Sequence, residues 1–238
     1  MDNATYTALT RQSGLLSEMQ SLANNIANAS TTGYRAEGVV FAEYVANLGA
    51  DAPSLSMASA EVRQTVQSQG GLAQTGGTFD LAIEGDGFFM VQTPQGDRLT
   101  RAGQFTPNEN GDLVTMDGFP VLDGGGAPVF VPQGTRSIGI AADGTISADG
   151  QPVGQVGMFV PVDPLNVRRE DGVRFVAEGG VEPALDARMV QGFLEQSNVN
   201  PVLEITRMIE VQRAYELGQN FLDNEDQRIR TVIRDLSK

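Results

Sequence analysis

Glycine and proline are distributed so unevenly along this 238-residue chain that they divide it before any motif is read. Of its 28 Gly, 20 lie between 76 and 190, as do 9 of its 11 Pro, whereas residues 1–48 and 191–238 together hold five Gly and one Pro. Both residues punctuate turns and are costly inside helices. A centre rich in them between depleted ends therefore predicts short strands in the middle and helices at the termini. The expected fold class is α+β and multi-domain, with a discontinuous, coiled-coil-like helical domain made by both termini and a central all-β domain. The expected boundaries are 1–48 with 191–238 for the helical domain, 49–75 for an extended linker, and 76–190 for the β domain.

Charge follows the same division. Residues 76–190 carry 16 acids and 7 Arg, while each terminal segment nets only −2 of the total −14. So acidic a chain lacks the cationic footprint of a nucleic-acid or anionic-membrane surface, and no nucleic-acid partner is expected. It has no Cys, His or Trp, and its only Lys is Lys238. Thiolate and imidazole metal sites, a Ser-His-Asp or Cys-His nucleophile and a buried Schiff-base Lys are thereby excluded. No catalytic residue, cofactor, metal or small-molecule substrate is expected. The absence of an apolar run of signal-peptide or membrane-spanning length predicts export, if it occurs, without a cleaved signal.

The N-terminal stretch 3–30 has helical periodicity. Leu9, Leu16 and Ala23 recur every seven residues, with Met19 and Ile26 on the alternating positions and Gln12 interrupting them. Asp2 or Asn3 can cap this helix and Gly33 is expected to mark its end. Toward the C-terminus, Asn200-Pro201 places a capping side chain before a proline at the first helical position, and Glu204 falls in the first turn. Met208, Tyr215, Leu222, Ile229 and Leu236 then form a seven-residue repeat, with Ile205 and Ile233 bounding a companion row of Gln212, Gln219 and Asp226. Two narrow apolar stripes at opposite chain ends need either each other or copies in neighbouring molecules, since isolated helices are marginal in water. Periodicity leaves both readings open: an intramolecular hairpin, or a module completed by assembly.

In the linker a weak strand is expected near 61–69. In the centre, strands are expected over 79–84, 88–93, 97–101, 112–116, 137–141, 156–162, 173–177 and 188–195, separated by turns such as Gly85-Asp86-Gly87 and Asn110-Gly111-Asp112. Asn108-x-Asn110-Gly111-Asp112 is similar to a calcium loop, but its Gly comes too early and no Glu closes it, so a hairpin turn is the better reading. Asp80, Glu84 and Asp86 could supply paired carboxylates for glycoside hydrolysis, which makes a secreted acidic carbohydrate-active enzyme the rival function.

Asn24, Asn25 and Asn28 crowd the end of the first helix, where Asn is a mediocre helix former. Amides there either fray the terminus or bond across helices and fix register in an assembly. Ala23–Arg35, ANNIANASTTGYR, resembles the N-terminal signature of the axial proteins of the bacterial flagellum, the rod and hook family. DLAIEGDGFFMVQ at 80–92 with LTRAGQFTPNENGDLV at 99–114 resembles the opening of that family's central domain, and QGFLEQSNVNPVLEITRMIEVQRAYE at 191–216 its C-terminal signature. The short length and the opening residues look most like proximal-rod members; distal-rod and hook members are similar in the same blocks but usually longer.

The resemblance implies a structural, non-enzymatic subunit of the basal-body rod, which spans the periplasm. It implies terminal helices lining the axis of a helical tube and a β-domain outside. Partners would be other rod and axial proteins, sister subunits, and the flagellar type III export apparatus. The family's assembly signatures fall on Asn24, Asn25, Asn28, Gly33 and Tyr34, and on Glu204, Met208, Gln212, Arg213 and Tyr215. With the seam positions Leu9, Leu16, Met19, Ala23, Ile26, Ile205, Leu222 and Ile229, these form the expected assembly interface.

Overall fold

A computed structural model describes the backbone of residues 2–46 and 55–236, and the side chains of 7–40 and 64–236. The two proposed caps, Asp2 and Asn3, lie outside the described side chains. Two long helices and a β-rich centre make this an α+β protein. The chain forms two compact units, one from residues 1–27, 36–66 and 199–238, the other from 28–35 and 67–198.

In the first unit, α1 (Asp2–Ala27) leads into a two-stranded antiparallel hairpin of β1 (Glu37–Ala46) and β2 (Leu55–Thr65). Residues 55–65 of the stretch expected to be an extended linker are ribbon, overlapping the strand expected near 61–69, and are paired from Glu37↔Thr65 to Ala46↔Leu55 with one irregularity after Val40. Its β-branched and alternating residues suit a strand better than a connector.

The second helix, α2 (Pro201–Leu236), begins as the sequence predicts. Asn200 Oδ1 accepts from the Val202 and Leu203 amides at 3.1 and 3.3 Å, ahead of Pro201. By contrast, α1 stops at Ala27, six residues before Gly33. There the Asn28 carbonyl and side chain accept from the Thr31 amide and hydroxyl, giving the backbone a turn in place of a further helical bond.

The second unit is β-rich, with one short 3-10 turn at Pro164–Asn166. Its strands are β3 (Leu72–Gln74), β4 (Leu81–Glu84), β5 (Phe89–Thr93), β6 (Gly96–Thr100), β7 (Phe105–Pro107), β8 (Leu113–Thr115), β9 (Ile138–Ile140), β10 (Thr145–Ala148), β11 (Gln151–Gln155), β12 (Phe159–Pro161), β13 (Val167–Asp171), β14 (Arg174–Ala177), β15 (Val181–Pro183), β16 (Arg188–Gln191) and β17 (Phe193–Glu195). They pair as small sheets, the largest in the order β13-β14-β6-β5; β17 lies beside β3 and β16 beside β4. Leu81 and Ile83 of β4 and Phe89 and Val91 of β5 project into one core with Phe105, Leu113, Val121, Ile146 and Met189, and the Phe89 and Phe105 rings meet edge-on at 5.1 Å. A second cluster holds Phe88, Leu99, Leu122 and Phe175. The turn at 108–112 closes the β7–β8 hairpin as expected, with Asn108 Oδ1 accepting from the amides of Asn110 and Asp112.

Candidate assembly surface

Within the helical unit, α1 and α2 run antiparallel, since Asn25 meets Glu204, Glu18 meets Arg207 and Gln12 meets Tyr215. Leu15, Leu22 and Val211 are buried between them, with Met19, Met208, Ala214 and Tyr215 packed alongside. The observed rows are shifted by one residue from part of the expected seam. Leu9 and Leu16 stand 49 % and 44 % exposed, and Ala23 and Asn24 are also on the open side. On α2 the inward row is Met208, Tyr215 and Leu222, with Val211 and Gly218 as its companions; Ile205, Gln212 and Arg213 face outward. The adjacent pairs Leu15-Leu16 and Leu22-Ala23 present apolar groups on two neighbouring faces, so a seven-residue count alone cannot choose between them.

Polar groups fix the two ends of this contact. Asn25 is buried; its Nδ2 donates to the Glu37 carbonyl at 2.9 Å and to Glu204 Oε2 at 3.0 Å, while its Oδ1 accepts from the Glu37 amide at 2.9 Å. One amide thus satisfies both main-chain groups of Glu37 and ties α1, β1 and α2 together. At the other end buried Gln12 donates to the Tyr215 carbonyl at 3.5 Å, over Gly218, where a Cβ would approach its Nε2 to 3.1 Å. Between them Arg207 Nε meets Glu18 at 2.8 Å, a bond that raises the arginine's pKa above its usual value. Ile26 and Asn28 are half-buried, and Gln212 bonds Glu216 on its own helix at 3.2 Å.

The helix α2 outruns α1. It has 36 residues to the other's 26, so at ~1.5 Å per residue it is about 15 Å longer. The inward spacing of three and four continues through Ile229, Val232, Ile233 and Leu236, and all four are exposed. Val202, Ile209, Leu217 and Phe221 add exposed apolar surface elsewhere on the same helix.

Gly33 and Tyr34 sit in the β unit. Gly33 adopts φ +69°, and a Cβ there would fall 2.3 Å from the Ala102 amide nitrogen, so close backbone approach as well as conformation demands glycine. Its own amide donates to the Glu195 carbonyl at 2.8 Å. Tyr34 is 2 % exposed, with the Arg169 guanidinium over its ring at 4.4 Å.

Sequence reasoning did not single out the charged cluster beside them. Arg35 and Arg101 flank the fully buried Glu195, each at 3.0 Å from a different carboxylate oxygen. Burial lowers the pKa of both arginines against the opposing attraction of Glu195, and with the repulsion of Arg35 it brings Arg101 to about 10. Each member lies in a different one of the quoted sequence blocks, which was the available signal. The carboxylates considered for hydrolysis form no comparable site: Asp80 accepts from the Thr75 hydroxyl at 2.6 Å, Glu84 is the exposed last residue of β4, and Asp86 lies on the exposed turn after it. Among the described residues no group of three or more His, Cys, Asp or Glu is placed to hold a metal ion, and no helix is long and apolar enough to cross a membrane.

Three family models match the chain: a flagella basal body rod protein model over residues 6–35, a flagellar hook protein FlgE/F/G D1 domain over 82–148, and a flagellar basal body rod FlgEFG protein C-terminal model over 190–235. Among curated relatives, the flagellar basal-body rod protein FlgF of Caulobacter vibrioides is 40 % identical, over 100 % of this chain and 99 % of its own length. The FlgF of Mesorhizobium japonicum is 39 % identical over 98 % of both. The flagellar basal-body rod protein FlgG of Bacillus subtilis is 30 % identical over 98 % of both.

Proposed function

The chain belongs to the flagellar basal-body rod protein family, and on that premise we propose that it is a structural subunit of the rod that polymerises through its terminal helices. Its role is mechanical: it forms part of the axial drive shaft and carries torque, with no catalytic step. The single observation that carries the helical part of this reading is the apolar face of α2 beyond the reach of α1, from Ile229 to Leu236. A helix this long keeps such a face only when something covers it.

Association is heterologous: one patch of each subunit meets a different patch of the next, so the contact propagates instead of closing. Exposed Leu9 and Leu16 on α1, with Ile205, Gln212, Arg213 and Ile229 on α2, belong to this contact set. Asn25 and Glu204 hold the helix pair in the form that presents it. The resemblance of the opening residues favours the proximal part of the rod, with other rod and axial proteins above and below. It also favours delivery by the flagellar type III apparatus without a cleaved signal.

The test uses Ile233→Glu in cells that depend on this chain for motility. Ile233 is 62 % exposed, so the purified variant should keep the wild-type helical circular dichroism and melting profile. It should be missing from isolated basal bodies, and the cells should not swim. Wild-type incorporation and motility would overturn assembly through this face. Labelling of the wild-type chain in isolated basal bodies at a position other than the rod would overturn the structural assignment itself.

A further inference from the structure

Glu195 gathers chain segments far apart in the sequence. Its Oε1 takes Arg35 Nη2 at 3.0 Å and the Gly70 amide at 3.2 Å; its Oε2 takes Arg101 Nη1 at 3.0 Å; its main-chain carbonyl takes the Gly33 amide at 2.8 Å. Arg101 is held in turn by the carbonyls of Ile83 at 3.0 Å and Gly85 at 2.6 Å, inside the β core's own strand and turn. Arg35 donates to the Gln67 carbonyl, and Asn198 closes the ring by donating its amide to Tyr34 at 3.3 Å and its side chain to Ser68 at 2.8 Å. Three pieces of chain, 28–35, 67–70 and 193–198, therefore meet on one carboxylate.

The charges make this arrangement conditional. Two buried guanidinium groups face a single buried carboxylate, with Asp86 of the neighbouring turn as the further acid acting on them. Arg35 Nη2 meets the carboxylate as an ion pair without hydrogen-bond geometry, and among the described residues neither Arg35 Nε nor Arg101 Nε has a hydrogen-bond partner. Removing the carboxylate from such a set leaves like charges desolvated together, a far larger penalty than loss of an ordinary contact. Arg101 has its own carbonyl partners without Glu195. Arg35 and the loop that carries it have the carboxylate, the Gln67 carbonyl and the Arg169 stack.

We propose that Glu195 is a closure residue: 28–35, 67–70 and 193–198 dock onto the β unit as one cooperative piece, and they do so only when the β17 carboxylate is in place between the two arginines. The β core folds first, with Arg101 already held, and the N-terminal loop stays undocked until this late part of the chain arrives. The clasp lies within the β unit and acts before any contact with another subunit.

Amide hydrogen exchange on the full-length chain tests this. In the wild type, the amides of Gly33, Gly70 and Asn198 should share one opening constant, larger than that of Leu113 and Val121 in the core. In Glu195→Gln, which keeps the shape and removes the charge, those three amides should exchange roughly a hundredfold faster, while Leu113 and Val121 change less than about threefold. Unequal opening constants in the wild type would overturn the proposal. So would unchanged exchange at Gly33 in the variant, an equal rise at Leu113 and Val121, or a variant that does not fold, since each would mean that closure is not a separate step.

Discussion

The side-chain amide of Asn25 donates to the carboxylate of Glu204 at 3.0 Å, joining residues 179 positions apart at the start of the α1–α2 contact. A polar pair here does what apolar side chains cannot, because an amide bond has a direction and a partner. The same Asn25 amide pairs with both main-chain groups of Glu37, so three elements depend on one side chain.

Replacing Asn25 by Leu should cost the helical unit about 2–3 kcal/mol, since the buried Glu37 amide and carbonyl lose their side-chain partner. Chemical denaturation followed by far-ultraviolet circular dichroism should show early loss of helix. The aromatic signal of the β unit should keep its wild-type midpoint, and motility should fail.

Leu15 and Leu16 are adjacent but should behave oppositely. Leu15→Ala empties a buried position and should destabilise the helix pair by about 2–4 kcal/mol. Leu16→Ala removes an exposed side chain and should change stability by no more than about 0.5 kcal/mol. If Leu16 contributes to subunit contact, this second variant melts like the wild type yet incorporates poorly into basal bodies.

Two glycines with positive φ separate conformational from steric demand. At Gly118 (φ +84°) a Cβ would meet nothing within 4 Å, so Gly118→Ala should cost about 1 kcal/mol for the left-handed backbone. At Gly33 the new methyl would strike the Ala102 backbone as well, and Gly33→Ala should cost about 3 kcal/mol. Urea midpoints of the two variants provide the comparison.

Asp143 accepts from both the amide and the hydroxyl of Thr145 at 2.9 Å, which holds its carboxyl below the ordinary value of 3.8. Its ionised form is therefore favoured in the folded state, and the resulting stability is full above the unfolded pKa and is lost as pH falls through the folded one. Asp143→Asn should therefore lower the β unit's stability near neutrality and flatten its acid limb below pH 3.8, so that variant and wild type converge at low pH.

Much of the architecture was legible in the residues because local chemistry dictates it. Asn200-Pro201 begins α2, the Asn108 turn closes its hairpin, and the glycine- and proline-rich centre forms strands. What escaped depended on partners distant in sequence. The polar run of β13, Val167–Asp171, has no alternating apolar pattern, yet Arg169 lies over the rings of Tyr34 and Phe175. Arg35, Arg101 and Glu195 each look like surface charges in isolation; only the fold brings them together and removes them from water. On α1 the row of Gln12 and Met19 faces α2 while the row of Leu9, Leu16 and Ala23 is exposed; α1 packs against the hairpin as well as α2, which leaves no single stripe for periodicity to mark.

Leu15 and Leu22 occupy equivalent places one heptad apart, so hydrocarbon contact alone would let α1 slip along α2 by seven residues, about 10 Å, at little penalty. Gln12 in the notch of Gly218 and Asn25 on Glu204 forbid that slip from opposite ends. Every copy of the chain consequently has its helix pair set to one length, like a ruler pinned at two marks.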